Sequence, residues 1–133
     1  MRARRKSGMG TADDFRRIAL GLPEAYEDMH RRRAAFRVEA RIFGLLGEAG
    51  PSSLFDGLES GQVAVVKLER EHQLNLAAAY PDAVRPTDNY GHHGWTYVAL
   101  DRIEVADLET VVYFAWANVA PKRLQRRLQT PKS

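Results

Sequence analysis

A chain of 133 residues, 44% hydrophobic and 28% charged, has the make-up of one water-soluble domain. No apolar run approaches the roughly 18 residues that a membrane crossing needs, and the absence of cysteine excludes disulfides, thiolate metal sites and a cysteine nucleophile. Nine of the 20 cations lie in residues 1–6 and 121–133, leaving 11 against all 17 acids in residues 7–120, so the body is acidic and the ends are basic.

The N-terminal cations Arg2, Arg4, Arg5 and Lys6 precede no apolar signal-like stretch. A cytoplasmic location is expected, with Met9 as an alternative start that would remove this patch. Residues 1–10 read as a basic tail, 11–120 as the folded domain and 121–133 as a basic helix or tail. Thr11 with Asp14 resembles a capping box, and Phe15, Ile18, Ala19 and Leu22 follow at helical spacing until Gly21-Leu22-Pro23 stops the helix. Next, Phe36 and Val38 alternate with Arg37 and Glu39, and Ile42–Leu46 reads as a second strand, giving a hairpin turning near Glu39-Ala40.

Residues 50–61 carry the Gly, Pro and Ser of a loop. Residues 62–68 read as a buried strand, and 69–80 as a helix ended by Pro81. Pro86 makes "AVRPT" an edge strand, because proline cannot donate to a ladder. "WTYVAL" (95–100) is a strand, and Val105, Leu108, Val111, Val112, Ala115, Trp116 and Val119 mark a long amphipathic helix. Pro121 then opens a short basic helix in which Leu124 and Leu128 share a face. The order predicts an α+β fold, a mainly antiparallel sheet with helices packed on one face.

Two Glu-x-x-His pairs, Glu27/His30 and Glu69/His72, resemble halves of a di-metal site, but only the second lies on a convincing helix, so solvated polar faces are the better account. His92 and His93 are adjacent; in an extended segment their side chains diverge, and no further ligand at zinc spacing supports them. Loop side chains are expected there, with phosphate or base contact as the functional option. No Gly-x-Ser-x-Gly elbow or ordered triad is present, so no enzymatic activity, cofactor or metal is expected. Trp95, Tyr97, Tyr113 and Trp116 read as core rather than as a stacking platform.

Taken in order, "LPEAYED", "AAFRVEARIFGLLGE", "VAVVKLEREHQLNL", "GHHGWTYVAL" and "WANVAPKRL" resemble the MmcQ/YjbR family of small bacterial domains, from about Thr11 to about Leu124. Arg41 stands where the family hairpin has lysine, and Glu39-Ala40 stands where glycines are usual, which predicts a wider turn. Ala115-Trp116 replaces a Ser-Tyr pair of the last helix. The resemblance implies a frataxin-like α+β domain of the kind described as a double-wing DNA-binding fold, and it implies no catalytic residues.

Two functions compete. In the leading one, a monomeric, non-enzymatic domain binds duplex DNA by phosphate contacts. Arg31, Arg32, Arg33, Arg37 and Arg41 would act from the first hairpin, His92 and His93 from the second wing, and Lys122, Arg123, Arg126 and Arg127 from the C-terminal flank. The alternative is a protein- or small-ligand-binding module with its arginines solvated or acid-paired and a concave apolar pocket near Trp95 and His93. A frataxin-like iron role would need clustered acids on the first helix and edge strand, and Asp13 and Asp14, the only acids before Glu24, are too few.

Overall fold

The computed structural model describes residues 9–31, 33–46, 63–88 and 90–129. The expected loop at 50–61, Arg32 and the two outer tails lie outside them. In chain order the elements are α1 (Ala12–Leu20), β1 (Tyr26–His30), β2 (Arg33–Val38), β3 (Arg41–Leu45), β4 (Val63–Lys67), α2 (Arg70–Ala79), β5 (Val84–Pro86), β6 (Trp95–Ala99), α3 (Val105–Val119) and α4 (Lys122–Gln129). The strands form one antiparallel sheet in the order β1-β2-β3-β4-β6-β5. Among the described residues no helix is long and apolar enough to cross a membrane.

Local chemistry accounts for most of these boundaries. The Thr11 Oγ1 accepts the Asp14 amide at 3.1 Å while Asp14 accepts the Thr11 amide at 3.1 Å, a reciprocal cap for α1. Pro86 sits on the outer strand β5, where its missing N–H costs no rung.

β1 is the element that the sequence conceals. Its residues, Tyr-Glu-Asp-Met-His, show no alternation because four of the five are exposed on an edge strand. Full pairing with β2 holds it in place, from Tyr26 opposite Arg37 to His30 opposite Arg33. Ion pairs from Glu27 to Arg16 and from Asp28 to Arg37 add side-chain support.

The β2–β3 connection is tight rather than wide, since Val38 pairs directly with Arg41. Glu39 and Ala40 adopt φ of 52° and 69°, the left-handed pair that a two-residue hairpin turn of matching twist requires and that glycine or asparagine fills most easily. Farther along the hairpin, Phe36 pairs with Gly44 but Arg37 with Ile42, so Phe43 is the extra residue of a bulge and turns into the core.

Register separates two faces of the sheet. Phe36, Gly44, Ala64, Val66, Thr96 and Val98 are in phase and face the helices; Phe15 of α1 meets Phe36 edge-on at 5.4 Å, and a Cβ on Gly44 would strike Phe15. Trp116, Phe15, Phe36, Phe43 and Leu108 are fully buried there, and truncating one of the aromatics to alanine costs about 3–5 kcal/mol. Arg37, Leu45, Val65, Lys67, Trp95 and Tyr97 are in phase on the opposite face. α4 docks through buried Leu124, whereas Leu128 is exposed and does not share its environment.

Candidate anion-binding cleft

Among the described residues the β3–β4 ladder has two rungs, Gly44 with Val66 and Leu45 with Val65, and none on the Lys67 side of them. Beyond them the strands part, and a cleft of about 510 Å³ opens between them. Arg37, Ile42, Lys67 and Trp95 line it from the face away from the helices, while Arg41, Asn118 and Val119 line it from the helix side. The carbonyl of Lys67 points towards the missing rung, and the Asn118 amide of α3 donates to it at 3.4 Å. A side chain therefore occupies the hydrogen-bonding position that a strand would have filled.

Among the described residues no acid lines this cleft. Lys67 Nζ lies 5.5 Å from the centre of the Trp95 ring, a cation–π contact that leaves its charge without a carboxylate among the described residues. Among the described residues Arg41 reaches the Val119 carbonyl, at 3.5 Å, and no carboxylate. Several other arginines are paired: Arg16 with Glu27 at 3.0 Å, Arg17 with Asp14 at 3.1 Å, and Arg37 with Asp28 at 2.9 Å. Arg37 also donates to the Ala40 carbonyl at 2.8 Å, which fixes the turn carrying Arg41. On the same face as Trp95, burial and nearby Asp88 push the Tyr97 phenol above its ordinary range, partly opposed by Arg33.

The sequence-predicted basic residues are only partly gathered. Arg31 lies at the β1–β2 turn and Arg33 at the start of β2, five residues and so about 17 Å of strand from Val38 at the cleft end. Arg37 and Arg41 line the cleft, and α4, which carries Lys122, Arg123, Arg126 and Arg127, begins just after its Val119 wall. There Arg123 is bound to Glu39 and lies 3.8 Å from Glu24, and Arg127 lies 3.5 Å from Glu24. Arg31 and Lys122 are exposed. Arg32 lies outside the described residues.

His92 and His93 sit on a single 3-10 turn, Gly91–His93, not on an extended segment, so their rings stay together at 4.0 Å instead of diverging. Both are exposed, and neither lines the cleft. Gln73, fully buried, holds the turn: its amide donates to the Gly91 carbonyl at 3.0 Å and to Thr96 Oγ1 at 2.9 Å, and its carbonyl accepts from Arg70. Gly94 ends the turn at φ 98°, with Leu68 so close that a Cβ would fall 2.1 Å from its carbonyl oxygen. Among the described residues no group of three or more His, Asp or Glu could hold a metal ion.

Trp116 is core as expected, its indole donating to the Pro23 carbonyl at 3.1 Å, but Trp95 is only half-buried and forms a wall of the cleft. The pocket near Trp95 is cation-lined rather than apolar, and it excludes His93. Lys67 and Asn118 escape sequence reasoning because each completes an ordinary pattern, the wet phase of a strand and the polar flank of a helix.

Fold and cleft together define a small α+β domain, a six-stranded antiparallel sheet backed by helices with a cationic opening where two strands part. The YjbR family model matches residues 20–118, and the chain belongs to that family. It is similar to a solved Deinococcus radiodurans protein, DR2400, described by the family-model domain DUF419, at 21% identity and TM-score 0.66 over 95% of this chain and 93% of that one. A solved Pseudomonas syringae protein is similar at 15% identity and TM-score 0.61 over 81% of this chain and 97% of its own. No curated protein matches the chain.

Proposed function

We propose that this chain is a non-enzymatic binding module that takes a small anionic ligand in the cleft between β3 and β4. The observation that carries the proposal is the charge pattern: among the described residues Arg41 and Lys67 meet no carboxylate and no acid lines the cleft, while Arg16, Arg17, Arg37, Arg123 and Arg127 are acid-paired. Two neighbouring cations, Lys67 half-buried and Arg41 exposed, that meet no carboxylate among the described residues favour an anion that brings the missing charge. The volume falls within the roughly 300–1,000 Å³ usual for small-molecule sites. It suits one small molecule and not a duplex.

Duplex DNA held by backbone phosphates, the double-wing reading, is the second possibility. It is favoured by α4, whose described sequence carries four cations and no acid beside the cleft. Glu24, Glu39 and Asp28 interleaved among the same arginines oppose it.

Calorimetric titration with inorganic phosphate and with citrate tests the first reading, comparing the wild type with R41Q/K67Q after thermal melts establish that both are folded. Binding by the wild type and its loss in the variant is expected. Equal titrations, or none for either protein, would overturn it. Anisotropy of a labelled duplex across a salt series separates the second: each neutralised phosphate adds about −0.9 to the salt slope. Duplex binding that persists in R41Q/K67Q and vanishes in K122Q/R126Q would move the function to DNA.

A further inference from the structure

We infer that the ligand is a phosphate joined to an aromatic ring system, the chemistry of a nucleotide, with the phosphate on Arg41 and Lys67 and the ring on Trp95. The inference rests on the reading of the cleft as an anion site and adds what Trp95 contributes. Lys67 and Trp95 are cross-strand neighbours on the same face, and both line the cleft.

With no anion bound, the Lys67 ammonium lies over the indole, its charge offset by the ring's electron-rich face. A phosphate dianion attracts that ammonium more strongly than the ring does, because a charge-assisted hydrogen bond exceeds a cation–π contact at a part-solvated site. Arg41 supplies planar paired donors suited to two phosphate oxygens. Drawing Lys67 towards the phosphate uncovers indole surface on which a planar ring stacks, and stacking of this kind accepts any base, since each has a π face. One cleft thus joins charge recognition and ring recognition through a lysine that serves both states. A free nucleotide and the phosphorylated end of a single strand share this chemistry.

The test measures affinities for inorganic phosphate, adenosine, adenosine monophosphate and a 5′-phosphorylated trinucleotide by calorimetry, with indole fluorescence as a second signal. Trp116 is fully buried, so a ligand-dependent change in the wild type reports on Trp95. The monophosphate should bind at least about tenfold tighter than either phosphate or adenosine, with quenching, the stacking increment being worth roughly tenfold or more. W95A should abolish that advantage, so that the monophosphate binds no tighter than inorganic phosphate does to the same variant, and W95F should restore most of it. R41Q/K67Q should lose phosphate and nucleotide alike.

A trinucleotide that binds with the same Trp95 dependence where the free nucleotide does not would support the inference and assign the site to strand ends. If phosphate binds through Arg41 and Lys67 but the nucleotide gains nothing and W95A is silent, the inference fails and the anion site survives. If no anion binds, the underlying reading fails with it.

Discussion

The tight turn at Glu39-Ala40 yields a prediction of unusual sign, in which removing a methyl group stabilises the protein. Ala40 has φ 69°, where an L-residue costs about 1–2 kcal/mol through the clash of its Cβ with the carbonyl oxygen. Glycine removes that clash but loses about 0.4–1 kcal/mol through the greater freedom of its unfolded chain. The Arg37 bond to Ala40 involves the backbone carbonyl and survives the change. A40G should therefore stabilise by about 0.5–1 kcal/mol, raising Tm by roughly 2–4 °C in a chain of this size. The same substitution at Ala78, exposed within α2, should destabilise by about 0.5–1 kcal/mol, because helical φ offers no clash to relieve. Paired urea titrations and thermal melts of A40G and A78G provide the assay. Equal destabilisation by both would refute the left-handed turn, and with it the placement of Arg41 at the cleft.

Q73L should cost about 1–3 kcal/mol in urea denaturation, because it removes the amide's bonds to the Gly91 carbonyl and the Thr96 hydroxyl and the acceptor of Arg70, although Gly91 keeps the Gly94 amide and Thr96 keeps the Gly94 carbonyl; a loss below about 0.5 kcal/mol would show that the network is not structural. G94A combines a forbidden φ with overlap on the Leu68 carbonyl and should destabilise by at least about 3 kcal/mol, judged by denaturant midpoint or by failure to fold. The raised Tyr97 phenol gives a pH signature. Its proton is held more tightly folded than unfolded, so the contribution is complete below the unfolded value of about 10 and fades as pH climbs through the higher folded value. Melts between about pH 9 and pH 11.5 should show wild type losing Tm more steeply than Y97F, and parallel curves would contradict the burial of that hydroxyl.

The long helix α3 was legible because its buried residues recur at helical spacing, and β4 and β6 because each is a short apolar run rich in β-branched or aromatic residues. β1 was not legible, because an exposed edge strand buries too little to imprint a pattern. The family-like glycines missing at Glu39-Ala40 suggested a wider turn, but pairing of Val38 with Arg41 imposes the tight one in spite of local preference. Arg37 and Arg41 could be nominated from their spacing. Which arginine meets an acid depends on contacts between distant elements, such as Arg123 with Glu39, and no local window contains that information. The cleft was invisible for the same reason: it exists where a ladder stops, a property of two strands that are not adjacent in sequence through described residues.

That early end of the β3–β4 ladder divides the one sheet into two strand assemblies joined at a narrow waist. β1, β2 and β3 form a contiguous meander over residues 26–45, and β4, β6 and β5 form a second group, with two rungs and the helices across the boundary. Arg41 belongs to one assembly, Lys67 and Trp95 to the other. The proposed site therefore draws its cations from both assemblies, and on that proposal a ligand that spans it would bind only the state in which they are paired. By mass action such a ligand stabilises docking by RT ln(1 + [L]/Kd), about 2.7 kcal/mol at a hundredfold excess over Kd. Ligand occupancy and cohesion of the sheet are then one equilibrium, and hydrogen exchange at the boundary amides of Leu45 and Val65 should slow in step with saturation.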